Sequence, residues 1–159
     1  MSVDAQVQAL VARIDQLESR NAMRDLVTTY CRGFDGGNFE RFLSIWWEDC
    51  VWDIGPPFGS FEGHAGIERA VKGVLWPVWR ETHHLTSNLE VCFDGSDDAH
   101  GVCDVDCMGA TRDDVVQMIS ATYRDHFQRR GGVWKIKRRD VTIHYFNAIP
   151  GAQMSAPKG

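Results

Sequence analysis

His84 is the first candidate for acid–base chemistry, by its residue type and its surroundings in the sequence. The stretch "HHLTSNLEVCF" (83–93) alternates as a β-strand does. This alternation predicts an apolar row of His83, Leu85, Leu89, Val91 and Phe93, and a polar row of His84, Thr86, Asn88, Glu90 and Cys92. Histidine alone titrates near neutral pH without special help. The pattern therefore leaves two interpretations of His84 open, a proton-transferring residue and an ordinary surface histidine.

Asp35 is the second candidate and lies in the stretch "YCRGFDGG" (30–37). It ends a predicted helix, where the negative end of the macrodipole disfavours a carboxylate and predicts a raised pKa unless a cation compensates. A histidine could supply that cation, and an Asp–His pair fixes the imidazole tautomer and stabilises its protonated form. The alternative is a turn residue that makes an Asx hydrogen bond.

Tyr30 and Arg139 are further candidates because both fall on predicted buried faces. Tyr30 precedes Phe34 by one helical turn, and its hydroxyl could donate a hydrogen bond to a carbonyl or leaving oxygen, or simply be satisfied within the core. A buried arginine requires an anionic partner or ligand. Arg139 shares its strand face with Val141, Ile143 and Tyr145, which are expected to be buried. The basic residues just before it allow the alternative that this strand is exposed.

Weaker candidates come from two strands and from the aromatic residues. His144 lies on the strand face opposite Arg139, and Asp104 and Asp106 form a carboxylate row that is more typical of a solvated face. Several aromatic side chains are expected to line a cavity for an apolar, ring-shaped ligand; the group comprises Trp46, Trp47, Trp52, Phe58, Phe61, Trp76 and Trp79.

Composition and the lack of known local motifs narrow the function classes. The chain has 159 residues and a net charge of -5, which predicts one domain (1–159) without affinity for nucleic acid. It contains no phosphate loop, dinucleotide fingerprint or H-E-x-x-H motif, so we expect neither a cofactor nor a metal. No membrane-spanning or signal segment is evident, and five cysteines without a C-x-x-C pair indicate reduced thiols in the cytoplasm.

The spacing of apolar residues predicts helices in the first part of the chain and mainly strands in the rest. An N-terminal helix (1–20) carries an apolar stripe that could dock on the body of the fold or on a neighbouring subunit: Val3, Val7, Leu10, Ile14 and Leu17. A second helix is expected from Asn21 to Phe34, and a third over 38–46 with Asn38 as its N-cap. The tail 150–159 is predicted to be mobile.

The rest of the chain predicts strands with one inserted helix. Two short strands flank the Pro-Pro break in 50–63, and a helix in 64–80 stops at Pro77. Four longer strand segments, joined by turn sequences, follow in 82–95, 100–111, 115–130 and 133–146. We expect an α+β fold: a cone-shaped barrel whose strongly curved, mixed or antiparallel sheet wraps around the N-terminal helices.

Several segments resemble one protein family. "SIWWEDCVW", "VLWPVWRETHHLTSNLEV" and "RRGGVWKIKRRD" resemble, in the same order, dehydrochlorinase members of the SnoaL-like branch of the nuclear transport factor 2-like superfamily. "YCRGFDG" resembles the helix end of a bile acid dehydratase of the same branch. The resemblance covers roughly residues 20–148.

This resemblance implies roles for individual residues. The catalytic histidine of these enzymes falls on His84, their dyad aspartate on Asp35, the arginine of the dehydrochlorinases on Arg139 and their pocket tryptophan on Trp52. Tyr30 stands where the dehydrochlorinases have a lysine, and the dehydratase is similar in having a tyrosine. Because a lysine suits a chloride leaving group and a tyrosine an oxygen, the resemblance favours an oxygenated substrate.

The expected function is a cofactor-independent lyase that acts on a small cyclic or aromatic oxygenated compound. The alternatives are an isomerase or cyclase of the ketosteroid-isomerase type, and a non-catalytic subunit or binding module related to the small subunits of ring-hydroxylating dioxygenases. We expect His84, Asp35, Tyr30 and Arg139 to be catalytic. Substrate contacts are expected from Trp52, Trp47, Trp76, Phe34, Asp106 and His144. We expect a homo-oligomer, with a trimer favoured over a dimer.

Overall fold

The computed structural model of the chain describes residues 2–155 and has the expected α+β architecture. The helices are α1 (Val3–Asp35), α2 (Phe39–Leu43) and α3 (Gly63–Glu68), and α3 continues as a π-helical segment (Arg69–Leu75). The strands are β1 (Trp46–Gly55), β2 (Gly59–Glu62), β3 (Trp79–Phe93), β4 (Asp98–Thr111), β5 (Val116–Arg130) and β6 (Val133–Ala148). The tail predicted to be mobile (150–159) includes residues 156–159, which lie outside the described residues. Its mobility stays a prediction.

Helix α1 is one continuous helix of 33 residues, so the prediction of two helices that divide near Asn21 was wrong. The reason is local, since neither proline nor glycine occurs before Gly33 to interrupt the hydrogen bonds. Burial begins only at Ser19. The N-terminal stripe is therefore exposed along its length, with relative exposures of 73%, 52%, 57%, 53% and 62% for Val3, Val7, Leu10, Ile14 and Leu17.

A tight connection carries the chain from the end of α1 into α2. Asn38 caps α2 as predicted, since its side-chain oxygen accepts a hydrogen bond from the Arg41 backbone N–H at 2.9 Å. The two helices cross closely at Gly33, where an added Cβ would lie 2.7 Å from the Phe42 backbone nitrogen. This close crossing fixes the end of α1, and with it Asp35, against the rest of the fold.

A curved six-stranded sheet wraps around α1 in the order β2-β1-β6-β5-β4-β3. The β1–β6 pair is parallel and the other neighbours are antiparallel, so the sheet is mixed. The inner sheet face and α1 enclose the core, whose largest fully buried side chains include Trp46, Trp52, Phe42, Phe127 and Met23. None of the helices within residues 2–155 is long and apolar enough to span a membrane.

Strand β3 contains a β-bulge that the alternation argument missed. The register to β4 shifts between Ser87 and Glu90, and Asn88 adopts a left-handed φ of 54°. From Thr82 to Thr86 the even-numbered residues face inward, and after the bulge the odd-numbered ones do. Leu85 is consequently 72% exposed and does not share a face with buried Val91. The predicted apolar row was therefore wrong for His83 and Leu85, which face outward. His84 faces inward because it precedes the bulge.

A second register shift alters the end of β6. Ser120 of β5 pairs with Tyr145, but its neighbour Ala121 pairs with Ile143, so one residue of β6 is extra. Tyr145 is 38% exposed as a result, and the expectation that it is buried with Arg139 was wrong. Phe146 takes the inward position instead and lines the cavity described below.

Candidate active site

A mainly apolar cavity lies between the C-terminal half of α1 and the inner face of the sheet. Its volume is about 90 Å³. Its polar groups are few, because most lining side chains are aliphatic or aromatic. The lining comprises Tyr30, Phe34, Trp52, Ile54, Phe58, Leu75, Trp79, Thr82, His84, Val105, Cys107, Ile119, Ala121, Tyr123, Val141, Ile143 and Phe146.

Asp35 and His84 form a hydrogen-bonded pair at the wall of this cavity. The His84 Nδ1 atom lies 2.6 Å from Asp35 Oδ1, and the His84 backbone N–H donates to Asp35 Oδ2 at 2.8 Å. The Thr82 hydroxyl also donates to Asp35 Oδ1, at 2.7 Å. Both oxygens of the carboxylate are therefore engaged by β3, and the last residue of α1 is tied to two inward positions of that strand.

The pKa of Asp35 differs from the expectation based on its position at a helix end. Burial is the largest influence and raises the pKa of this carboxyl. The hydrogen bonds from the His84 side chain and backbone and from Thr82, together with the charge of His84, outweigh burial and leave the pKa below its ordinary value. The charge of His84 and the three converging donors supply the compensation that the sequence argument named as its exception, so Asp35 is an anion at neutral pH.

The carboxylate orients the His84 ring for proton transfer. An anion at Nδ1 keeps a proton on that nitrogen, so the lone pair of the neutral ring is on Nε2. Within residues 2–155 Nε2 makes no hydrogen bond, and the ring borders the cavity. The rings of Phe34 and Tyr30 meet it edge-on, with centroids 5.3 and 6.0 Å away. This arrangement can accept a proton from a bound molecule and stabilise the imidazolium that results.

Arg139 lies behind the cavity wall rather than on it. Its guanidinium makes two hydrogen bonds of 2.7 Å to the carboxylate of Asp125, and both side chains are completely buried. This is the anionic partner that the sequence required without identifying. The guanidinium carbon lies 4.3 Å from the ring centre of Tyr30 and 4.2 Å from that of Tyr123. Arg139 therefore acts on the cavity through these two tyrosines.

Two of the predicted aromatic contacts line the cavity and two do not. Trp52 and Phe34 are part of the wall. Trp76 packs against Phe34, with ring centroids 6.1 Å apart, and borders a separate shallow depression that also includes Asp35. Trp47 donates its indole N–H to the backbone carbonyl of Gln128 at 2.9 Å and lies beneath basic side chains. The predictions for Trp76 and Trp47 as cavity residues were wrong.

The predictions for Asp106 and His144 were also wrong. In β4 the inward positions are Val105 and Cys107, so alternation places Asp106 on the exposed outer face. His144 is exposed at the extra residue of β6, and its Nε2 atom lies 2.8 Å from the Thr122 hydroxyl. That hydroxyl donates in turn to Asp104, at 3.1 Å, in an outer-face network that does not reach the cavity.

Sequence reasoning missed Thr82, Tyr123 and Asp125. Thr82 could have been found from alternation, because it lies two residues before His84 and therefore on the same strand face. Tyr123 and Asp125 reach Arg139 only through the β5–β6 pairing, which no local pattern specifies. The sequence predicted that Arg139 has an anionic partner, but it did not identify that partner as Asp125.

Cys107 is the cavity's one thiol among the lining residues, and it is not a ready nucleophile. Burial is the main reason why its pKa is raised to about 12, so the thiol stays protonated at neutral pH. Within residues 2–155 no group of three or more histidine, cysteine or acidic side chains is arranged to hold a metal ion. The polar chemistry available at the wall is that of His84, which Asp35 orients, and of the hydroxyls of Thr82, Tyr30 and Tyr123.

Comparison with known proteins shows the family of the chain. The family model for the SnoaL-like domain matches residues 15–140, which is more than half of the chain. The chain belongs to the SnoaL-like family. Among curated relatives, this SnoaL-like protein is 34% identical to hexachlorocyclohexane dehydrochlorinase 1 of Sphingobium indicum, over 91% of this chain and 94% of the relative. It is 32% identical to the gamma-hexachlorocyclohexane dehydrochlorinase of Sphingobium indicum, over 91% and 92%.

Solved structures agree with the sequence relatives. A crystal structure of hexachlorocyclohexane dehydrochlorinase (LinA) type 2 superposes with a TM-score of 0.86 at 34% identity, over 91% of this chain and 98% of that one. A putative scytalone dehydratase from Novosphingobium aromaticivorans has a TM-score of 0.78 at 20% identity and shares the fold, over 89% and 94% of the chains. The curated relatives are carbon–halide lyases, which supports an enzyme of the lyase class for this SnoaL-like protein.

Proposed function

We propose that the protein is a cofactor-independent lyase that eliminates a leaving group from a small cyclic or aromatic oxygenated compound. The observation that carries this proposal is the oriented His84–Asp35 pair at the wall of a mainly apolar cavity. A non-catalytic module would have no use for a partly buried carboxylate held by three hydrogen bonds beside an unpartnered imidazole nitrogen. The similarity to dehydrochlorinases supports the same reaction class.

The first step of the proposed reaction is proton abstraction from carbon. Nε2 of His84 takes the proton, and the electrons of the broken C–H bond form the new carbon–carbon double bond. Asp35 holds the ring in one tautomer and stabilises the imidazolium without itself accepting the proton. The apolar wall excludes water, so the charges that develop during this step interact strongly with nearby dipoles.

The second requirement is stabilisation of the leaving group as it departs with its bonding electrons. Tyr30 lines the cavity within 6.0 Å (centroid to centroid) of the His84 ring. Its pKa is raised, chiefly by burial and despite the positive charge of Arg139, so its hydroxyl keeps its proton at neutral pH. A neutral phenol donates a hydrogen bond to a departing oxygen, and a departing hydroxide leaves as water after it takes one proton. His84 returns the abstracted proton, which balances the reaction.

The decisive experiment compares His84→Gln and Asp35→Asn with a matched His83→Gln variant. Cyclic compounds with a hydroxyl or halide next to an acidic C–H bond are screened, and products are identified by mass spectrometry. We expect His84→Gln to lose about 10³-fold or more in kcat/KM, and Asp35→Asn about 10²- to 10⁴-fold. His83 has a side chain that is 67% exposed on the outer face, so its variant should keep wild-type turnover.

Two outcomes would contradict the proposal. Near-wild-type turnover by either dyad variant would exclude the Asp35–His84 mechanism. A product of unchanged mass would show that the abstracted proton returns to another carbon, which is the isomerase alternative. Loss of the mass of water or of hydrogen chloride would support elimination and would identify the leaving group.

We also propose that the protein forms a homotrimer. Two exposed apolar surfaces support burial against further copies of the chain: the stripe on the N-terminal half of α1, and Leu85, Met108 and Met118 on the outer sheet face. Met108 and Met118 are directly paired across β4 and β5, so they form one patch. Sedimentation equilibrium on the wild type and on Leu10→Gln/Ile14→Gln tests this. A monomeric wild type would contradict assembly, and a dimer would contradict the stoichiometry.

A further inference from the structure

Two tyrosines of the cavity share one buried cation, and the proposed mechanism uses only the first of them. Tyr30 comes from α1 and Tyr123 from β5, and both line the cavity. Their rings meet edge to face, with centroids 5.5 Å apart. The guanidinium of Arg139 lies over both rings, with its carbon 4.3 Å from the centre of Tyr30 and 4.2 Å from that of Tyr123. The two phenols therefore form one structural unit with the Arg139–Asp125 ion pair.

The ion pair keeps this unit in place and biases its electrostatics. A buried arginine held by two hydrogen bonds has little freedom to move, since release would leave the Asp125 carboxylate buried and uncompensated. Contact with the guanidinium draws electron density from both rings, which makes each hydroxyl a better hydrogen-bond donor. Burial acts as the larger influence and raises the pKa of both tyrosines, so both hydroxyls remain protonated. A hydrogen bond links the two hydroxyls, and neither releases its proton at neutral pH.

We propose that Tyr30 and Tyr123 together bind an oxygen atom of the substrate on which negative charge develops. This inference rests on the proposed elimination and specifies its substrate class: ring compounds that carry a hydroxyl or carbonyl oxygen at the reacting end, rather than compounds whose polar atoms are halogens alone. Two donors that converge on one acceptor are the arrangement that stabilises an oxyanion. A chlorine substituent accepts hydrogen bonds poorly and would gain little from these hydroxyls.

The site also explains why a second tyrosine would determine specificity. A cavity that is built to hydrogen-bond an oxygen rejects an analogue without it, because the buried donors then lose their partners. The wall around the tyrosines is mostly apolar, with Val105, Ala121 and Val141 among its members. Tyr123 is therefore assigned as a specificity-determining residue that contacts the substrate oxygen.

The test measures binding of three probes of nearly the same shape, namely para-nitrophenol, para-nitrotoluene and para-chloronitrobenzene. These differ only in a hydroxyl, a methyl group or a chlorine, and calorimetry or absorbance gives each Kd without turnover. The wild type should bind para-nitrophenol about tenfold or more tightly than either other probe. Tyr123→Phe should weaken para-nitrophenol about tenfold and leave the other two unchanged. A merely structural role for the hydroxyl would weaken all three probes together.

Tyr30→Phe is the second variant and should give the same selective loss. Equal binding of the three probes by the wild type would overturn the inference, whether or not either variant folds. Retention of the wild-type preference for para-nitrophenol by Tyr123→Phe would overturn it as well. These outcomes are independent of the elimination test, because they use binding alone and leave His84 and Asp35 intact. An inactive enzyme with phenol-selective binding would separate failure of the proposed reaction from failure of this inference.

Discussion

Thr82 and His84 donate to the same oxygen of Asp35. The hydroxyl of Thr82 and the Nδ1 atom of His84 lie 2.7 and 2.6 Å from Asp35 Oδ1, and they occupy neighbouring inward positions of β3. The carboxylate is thus positioned by a hydroxyl that takes no part in proton transfer. Thr82 is a positioning residue, and its contribution can be separated from that of the histidine.

Replacement of Thr82 with valine removes one donor from Asp35 while it keeps the shape of the side chain. We expect the pKa of Asp35 to rise, because the lost hydrogen bond favoured the ionised form, and kcat/KM to fall about tenfold as the ring is held less firmly. Carbon-13 NMR titration of the Asp35 carboxylate checks the first effect. Thr122→Val is the control, since its hydroxyl bonds to the outer-face Asp104. An unchanged Asp35 titration in Thr82→Val would contradict the prediction.

Stability in acid should depend on the ionisation of Asp35. The pKa of its carboxyl in the folded protein lies below the ordinary value, so ionised Asp35 stabilises the fold above the unfolded pKa of about 4. That stabilisation is lost as the pH falls through the folded pKa. In urea unfolding, the advantage of the wild type over Asp35→Asn should therefore be largest near neutral pH and shrink progressively at lower pH. Asp113→Asn at an exposed turn gives the baseline for loss of one charge.

Removal of one partner from the buried ion pair should be far more costly than removal of an exposed neighbour. Arg139→Met leaves the Asp125 carboxylate buried without its cation and should lower the free energy of unfolding by about 3–5 kcal/mol. Arg138→Met is the matched control, because its pair with Asp140 is exposed and should contribute at most about 1 kcal/mol. The double variant Arg139→Met/Asp125→Leu should recover much of the loss. Similar unfolding curves for the two single variants would contradict this account.

The crossing of α1 and α2 should not tolerate a side chain at Gly33. Gly33→Ala would place a methyl group 2.7 Å from the Phe42 backbone nitrogen, and we expect a loss of about 1–3 kcal/mol in unfolding free energy. Gly73 in the π-helical segment has open space around its Cβ position. Gly73→Ala should therefore leave stability unchanged or raise it by up to about 1 kcal/mol. Equal effects of the two substitutions, measured by urea unfolding, would show that the close crossing does not limit position 33.

Local sequence patterns predicted the elements and part of the site. The N-cap at Asn38, the break at the two prolines and the four long strands all follow from chemistry within a few residues of each feature. The meeting of Asp35 with His84 was inferred from residue type and family resemblance, and the structure brings the two side chains together. Their catalytic roles stay a prediction.

The remaining features depend on pairing between distant strands. Asp125 and Tyr123 meet Arg139 because β5 lies beside β6, and alternation within one strand gives no information about its neighbour. The errors at Leu85 and Tyr145 have a different cause, which is an extra residue between Ser87 and Glu90 in β3 and another at His144 in β6. A single such residue inverts every later assignment of faces, and neither position is marked by glycine in the sequence.

The bulge at Asn88 has a consequence for how β3 can change in length. Two residues of β3 oppose one residue of β4 there, so the strand is one residue longer than straight pairing requires. Deletion of Asn88 would restore regular alternation and still leave His84 and Val91 facing inward. A relative without this residue would therefore align with a one-residue gap and keep the same inner surface. If the strand kept Asn88 but lost the bulge, the side chains on one side of this position would face solvent instead of the core. Asn88 therefore joins two segments of β3 whose inward positions have opposite parity.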